Sequence, residues 1–219
     1  MGIHLMPPLF KIIITPPVTE VIIYAEDGDG YLIKTATPYA ACHDAGSADS
    51  IDIASDTFAV GQFKSGDDWT IWRAGLPFNT SVIPPNAVIT KAILSLFKQA
   101  HSYDTSDPPE LVVVDGASLA PALDVAGYGR LLAKTLSAGS IPIAGSVTAA
   151  YNEILLNGYG RGLINKGSTT WLALRTSFDI ASYAKYGSIS IYQANRGWLD
   201  PADHTLGYKP KLTVQYYIQ

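Results

Sequence analysis

Short runs of alternating apolar and polar residues follow one another along most of this chain. They are rich in Val, Ile, Thr, Tyr and Phe, and clusters of Gly, Pro, Asp and Ser separate them, which is typical of strands joined by tight turns. The pattern predicts strands at residues 18–25, 31–37, 57–63, 70–80, 88–100, 111–114, 170–176, 188–194 and 211–218. This spacing favours an all-β antiparallel sandwich.

One segment fits two kinds of element. Residues 146–157 read SVTAAYNEILLN, and Val147, Tyr151, Ile154 and Leu155 recur at helical spacing after a capping serine, which predicts one short helix near 147–157. A strand at 154–156 competes with that helix on equal terms.

The beginning of the chain is apolar but carries two proline pairs, Pro7–Pro8 and Pro16–Pro17. Proline fixes φ and removes a backbone donor, so residues 1–17 are expected to form an extended arm and not a helix. The arm could dock on a neighbouring subunit or pack along the edge of its own domain. Residues 18–219 are expected to form a single sandwich domain, since all-β domains of this length are common.

Arg73 lies in the stretch WTIWRAGLPFNTSVIPPNAVIT, which reads as two strands around a proline turn. Strand alternation puts Arg73 with Ile71 and Gly75 on one face, while Phe78 belongs to the other face. Guanidinium groups stay protonated and cannot act as general bases. The sequence therefore predicts a structural Arg73, held by a carboxylate or by carbonyl groups with its stem on apolar surface.

Composition and charge narrow the possible partners. The formal charge is -4 and no Lys or Arg run occurs, which argues against nucleic acid. No apolar span is long enough to cross a membrane, and no charged segment precedes the first apolar run, so a soluble chain made without a signal peptide is expected. Cys42 is the only cysteine, which excludes an internal disulfide.

Motifs for catalysis are missing, and we therefore expect no enzyme activity. The string G-x-S-x-G does not occur, and the four histidines stand apart without metal-binding spacing. The best metal candidate is the turn EDGDG, where Glu26, Asp27 and Asp29 offer the hard oxygen ligands that Ca²⁺ prefers. Solvated turn residues are the more favoured interpretation, and no cofactor is expected.

Aromatic residues supply a candidate ligand site. The chain holds 13 tyrosines and four tryptophans, and Trp198 lies beside Asn195 and Arg196 in the polar stretch NRGWLDPADH. Glycan-binding sites typically combine aromatic rings, which stack on the C–H surfaces of sugars, with neighbouring side chains that form hydrogen bonds. These three residues form the predicted glycan site.

Three segments resemble the DNRLRE domain family. They are residues 69–97, where Arg73, Phe78, Asn79, Ser81, Ile83 and Pro84 fill the places of its pattern, residues 155–180, and the closing stretch YKPKLTVQYY. The resemblance covers most of the chain between Tyr31 and Tyr217. It implies a jelly-roll β-sandwich similar to carbohydrate-binding modules, which serves as an accessory or structural surface module and has no catalytic residues.

Two functions follow as hypotheses. The first is a structural or attachment protein of a larger assembly, such as a phage virion decoration or tail-associated subunit, which contacts protein subunits through the arm or the sheet edges. It would then lie on a virion or another extracellular particle. The alternative is a carbohydrate-binding module that recognises a glycan through exposed aromatic loops.

Overall fold

Antiparallel strands make up most of the regular structure of the protein. The computed structural model describes residues 16–102, 107–185, 188–193 and 208–219. The strands are β1 (Thr19–Tyr24), β2 (Gly30–Ala36), β3 (Ser50–Asp52), β4 (Thr57–Ser65), β5 (Asp68–Asn79), β6 (Ala87–Ser102), β7 (Glu110–Asp115), β8 (Gly139–Pro142), β9 (Ala150–Leu155), β10 (Thr169–Thr176), β11 (Ser188–Gln193) and β12 (Lys211–Ile218). The helices are α1 (Tyr39–His43), α2 (Gly127–Arg130), α3 (Gly158–Gly162) and α4 (Ser177–Ile180). The predicted all-β antiparallel sandwich is confirmed.

Two antiparallel sheets make up the sandwich. The front sheet contains β1, β12, β6 and β9. The back sheet contains β2, β4, β5, β10, β7 and β8, with the short β3 paired to β2. Strand β11 pairs with β6 and with β4, so hydrogen bonding continues from one sheet into the other.

The main core lies between the two sheets. On the front sheet, one inward row runs across all four strands and is buried throughout: Ile23, Leu212, Leu94 and Ile154. The back sheet contributes the buried side chains of Ala74, Leu76, Phe78, Val113, Leu172 and Leu174 to the same cluster. Removing these apolar surfaces from water is the main force that holds the sheets together.

A second apolar layer covers the outer face of the back sheet. Ile71, Val114 and Trp171 point outward from the sheet but are buried, because helix α1 and the connection that leads through α2 pack over them. Leu119, Leu123 and Tyr128 supply the covering side. The back sheet is therefore buried on both faces, which explains why β5 is apolar on both sides.

Of the two alternatives for residues 146–157, the helix near 147–157 does not form and a strand does. This strand, β9, overlaps the competing strand at 154–156 but begins earlier, and its Asn152 and Ile154 point inward and alternate with exposed Glu153 and Leu155. The chain turns helical only afterwards, in α3, where the Asn157 side chain accepts the backbone N–H of Gly160. Strands β5 and β6 follow one another around the predicted proline turn, but they do not pair with each other. They belong to opposite sheets, and the connection between them crosses the sandwich.

Candidate functional site

The most elaborate polar arrangement is a buried ion cluster around Arg73. The Arg73 side chain is fully buried, and its Nε and Nη2 donate to the two carboxylate oxygens of Asp179 at 2.9 and 2.7 Å. Arg175 donates from Nε to the same carboxylate at 2.6 Å. Two guanidinium groups thus share one buried carboxylate, and the carboxylate beside Arg73 is Asp179 at the start of α4.

The remaining donors of the ion cluster reach backbone carbonyls of the covering layer. Arg73 donates to Tyr128 O at 2.7 Å and to His43 O at 3.1 Å, and its guanidinium lies 3.9 Å from the centre of the Tyr128 ring. Arg175 donates to Leu131 O at 2.9 Å. The cluster therefore fastens α1, α2 and α4 to the back sheet.

Electrostatics in the ion cluster favour the charged forms. Burial by itself raises the pKa of Asp179, but the two guanidinium groups outweigh burial and hold that pKa at about 2. Burial also raises the pKa of Tyr39 and Tyr128, which keeps both phenols neutral. An ion-paired carboxylate and two protonated guanidinium groups supply neither a base nor a nucleophile, so the chemistry of the cluster suits a structural role.

Lys98 is a second buried cation, which sequence reasoning missed. It lies on the inward face of β6 and donates to Ile143 O at 3.3 Å, and to the carbonyl and hydroxyl oxygens of Ser146. Burial lowers the pKa of Lys98. The Ser146 hydroxyl donates to Ile143 O at 2.7 Å, so both side chains hold the turn before β9 in place.

The predicted calcium ligands lie in the turn after β1. Asp29 is buried, Asp27 is exposed, and the Glu26 carboxylate accepts the Thr169 hydroxyl at 3.4 Å. Gly28 has φ of 102°, which suits the glycine of this turn. Within the described ranges, no group of three or more His, Cys, Asp or Glu could hold a metal ion, and these three carboxylates form none.

The predicted glycan site, Asn195, Arg196 and Trp198, lies outside the described residues, as does the arm up to residue 15. Phe78 is buried in the main core, and Cys42 is a buried thiol whose pKa is raised by burial. His43 is buried beside the ion cluster, with its Nε2 2.7 Å from the backbone oxygen of Asp179.

The outer face of the front sheet carries an apolar row. Paired residues on the four neighbouring strands place Ile22, Thr213, Ile93 and Leu155 side by side in it, and we call this set the outer row. Ile22 is 52% exposed and Leu155 is 60% exposed. The outer row is nearly as apolar as the buried row on the other face of the same strands.

An aromatic cluster lies on the same face as the outer row, with the Ser95–Glu153 pair between them. The ring centres of Phe97 and Tyr208 lie 3.8 Å apart in a stacked arrangement, and Tyr151 contacts Phe97 edge-on at 5.5 Å. The Lys211 ammonium lies 4.2 Å from the centre of the Tyr151 ring. Burial, followed by the nearby Tyr24 and Tyr208, raises the pKa of Tyr151 to about 12.

Two grooves flank the loop between α3 and β10. One has a volume of about 490 Å³ and is lined by Trp171, Pro121, Leu163 and the polar residues Asn165, Ser168 and Thr169, among others. We call it the tryptophan groove. The other, of about 470 Å³, runs between α3 and the start of β6 and includes Arg161 and Lys166. Both volumes suit small-molecule ligands.

Comparisons with known proteins do not assign this chain to a family. The chain matches no model of a known protein family, and no curated protein matches it either. The likeness to the DNRLRE domain family therefore stays a prediction. None of the helices in the described ranges is long and apolar enough to cross a membrane.

Proposed function

We propose that this chain is a non-catalytic structural or attachment subunit of a larger assembly, and that it docks on a protein partner through the outer row. The single observation that carries the proposal is the outer row itself, a mostly apolar line across four strands in which Ile22 and Leu155 are more than half exposed. When an antiparallel sheet faces water on one side, its outward positions are normally polar. Exposed apolar surface on such a face is typical of an interaction site.

The contrast between the two sheets supports the proposal. The chain covers the outer face of its back sheet with its own connections and fastens them with the buried ion cluster. On the front sheet, Ile22 and Leu155 remain more than half exposed. The partner implied is a protein surface with apolar side chains, as at the centre of subunit interfaces.

The edge of the front sheet offers a further contact. Among the described strands, β1 pairs with β12 alone, so one side of β1 presents backbone groups to a partner. Exposed strand edges accept added strands from other chains. The phage particle context and the docking of the arm, residues 1–17, belong to the same proposal.

The proposal is tested by charging the outer row. The double variant Ile22→Lys, Leu155→Lys in the full chain is expected to lose self-association or binding to the assembly, measured by analytical ultracentrifugation, while keeping its melting temperature. The matched control is Leu136→Lys, because Leu136 is 61% exposed and precedes β8 in the back sheet. Unchanged association of the double variant would count against docking through this face.

A second candidate function is glycan binding, which the tryptophan groove supports. Trp171 lines the groove together with Asn165, Ser168 and Thr169, and aromatic, amide and hydroxyl side chains are the types that bind a sugar ring and its hydroxyls. Trp171 is 7% exposed and lies on the outer face of β10 beneath the covering layer, so its removal would disturb the fold. Filling the groove with Ser168→Trp is the cleaner change.

A glycan array separates the two candidates. A glycan that binds the wild-type chain and is lost in Ser168→Trp would locate binding in the tryptophan groove. A glycan that is lost only in Trp198→Ala would instead support the predicted site of Asn195, Arg196 and Trp198. An array without any hit rejects the glycan candidate.

A further inference from the structure

The groove between α3 and the start of β6 carries a net positive charge. It lies at the end of the sandwich where β6 begins, between the first residues of that strand and the segment that runs from α3 toward β10. We call it the cationic groove. It is lined by Ala87, Val88, Ile89, Gly158, Arg161, Gly162, Ile164 and Lys166. Two of these side chains are cationic and none is acidic.

Neither cation of the groove is neutralised by a carboxylate in the described part of the chain. Arg161 is partly buried and donates from Nη1 to the backbone oxygen of Leu156 at 3.2 Å. Lys166 donates to the backbone oxygen of Ala87 at 2.9 Å. The ion pairs among the described residues involve other side chains.

Lys98 is also held by carbonyl and hydroxyl oxygens, but Lys98 is fully buried, whereas Arg161 and Lys166 line an open groove. The chain has a formal charge of -4, and six other described cations each contact a carboxylate: Lys34, Arg73, Arg130, Lys134, Arg175 and Lys185. A guanidinium has five N–H donors and an ammonium has three, so carbonyl contacts leave donors on Arg161 and Lys166 for a ligand. Oxyanions are the ligands that such donors bind most strongly.

The walls of the groove define the rest of the ligand. Ile164 is a buried lining residue, and Val88 and Ile89 are partly buried at the start of β6. A volume of about 470 Å³ suits a small molecule and not a folded partner. We propose that the cationic groove binds a small organic anion, with its carboxylate or phosphate on Arg161 and Lys166 and a short apolar body against Val88, Ile89 and Ile164.

The proposal goes beyond docking through the outer row, because it concerns a different surface and a different ligand. It is tested by NMR titration of the full chain with hexanoate, hexyl phosphate and the neutral hexanol. Hexanoate or hexyl phosphate is expected to shift amide signals at residues 87–89 and 158–166. Each should bind about tenfold more tightly than hexanol. The two anions separate carboxylate from phosphate as the preferred group.

Charge-removing variants locate the contacts. Arg161→Gln and Lys166→Gln are each expected to weaken binding of the preferred anion by about tenfold, with a partial recovery in Arg161→Lys, which keeps the charge but loses the planar fork. The matched control is Lys91→Gln, because Lys91 is exposed on the same strand β6 but does not line the groove. The amide spectrum of each free variant shows whether it is folded.

Three results would overturn the proposal. They are equal binding of hexanol and the anions, equal effects of Lys91→Gln and Arg161→Gln in folded variants, and absence of binding by both anions. None of these results bears on the outer row, which is tested by protein association of the Ile22→Lys, Leu155→Lys variant, so the two proposals fail separately.

Discussion

At the scale of single residues, the buried ion cluster shows how a charge can lie inside this protein. Arg73 makes four hydrogen bonds, two to Asp179 and two to carbonyls. Burying a charge is costly unless its donors are satisfied, and removal of one partner exposes the full cost. The stability of the protein is therefore more sensitive to a single substitution in this cluster than to one in an ion pair on the surface.

Removing the shared carboxylate is expected to destabilise the protein strongly. Asp179→Ala leaves two buried guanidinium groups without their anion, and the free energy of unfolding should fall by about 3–5 kcal/mol, measured by urea denaturation. The control is Asp124→Ala, whose ion pair with Arg130 is exposed and should matter by less than about 1 kcal/mol. Similar losses in both variants would show that the buried cluster contributes no more to stability than an exposed ion pair.

Acid should weaken the same cluster. The pKa of Asp179 in the folded protein is about 2, below its usual 3.8, so its contribution is fully present above pH 4 and is lost as the pH falls toward 2. We expect the wild type to lose on the order of 2 kcal/mol more than Asp179→Asn over this range. A ¹³C titration of the Asp179 carboxyl group measures its pKa directly, and an ordinary value there would contradict the expectation.

Only part of this cluster could be predicted from the sequence. Alternation along β5 puts Arg73 on the face opposite to Phe78, and the structure places Phe78 in the main core and Arg73 under the covering layer. The partner could not be predicted, because Asp179 is 106 positions away and no local pattern links the two. Lys98 was missed for a similar reason, since its acceptors are backbone oxygens of a distant turn.

At the scale of elements, residues 146–162 show how periodicity can mislead. Val147, Tyr151, Ile154 and Leu155 fit a helical face, but two of these positions, Val147 and Leu155, are exposed in the structure. Pairing with β6 decides the conformation of β9, since the strand's backbone bonds to a neighbour that lies far away in sequence. Tertiary pairing of this kind overrides weak local preferences.

Neighbouring residues of β9 provide a test of the strand. Ile154 is 1% exposed and Leu155 is 60% exposed. Ile154→Ala should lower the free energy of unfolding by about 2–4 kcal/mol, whereas Leu155→Ala should change it by less than about 0.5 kcal/mol. Thermal and urea unfolding of both variants gives the comparison, and equal losses would be inconsistent with the alternation of a strand.

Two glycines of α3 provide a matched pair for packing. A Cβ on Gly160 would collide with the backbone oxygen of Ala138, whereas a Cβ on Gly162 would meet no atom within 4 Å. Gly160→Ala is therefore expected to lower the free energy of unfolding by about 1–3 kcal/mol. Gly162→Ala should be neutral or stabilise the protein by up to about 1 kcal/mol. The reverse order of stabilities would contradict the packing of α3 against β8.

At the scale of the whole molecule, the two outer faces differ. The back sheet is closed by chain connections, and the front sheet presents the outer row. The strand pattern predicted a sandwich, but it could not tell which face the connections cover, because apolar residues on both sides of β5 and β6 look alike in the sequence. The candidate docking face thus required the register of four strands, β1, β12, β6 and β9.

Association through an apolar face has a characteristic response to conditions. Burial of apolar surface weakens on cooling and is not screened by salt, unlike contacts between charges. We expect assemblies of the full chain to dissociate more at 4 °C than at 25 °C and to persist in 1 M NaCl, as sedimentation velocity would show. Dissociation in high salt would instead indicate an interface made of ion pairs.

The pairing of β1 with β12 also governs when the protein can fold during synthesis. Strand β1 leaves the ribosome first among the described strands, but its ladder partner is the last of them, and β12 also fills the gap between β1 and β6. Until β12 is translated, Val21 and Ile23 lack the one ladder partner that β1 has among the described strands. A chain that terminates before residue 211 is thus left with an open front sheet, and such truncated products become natural targets for chaperones and proteases.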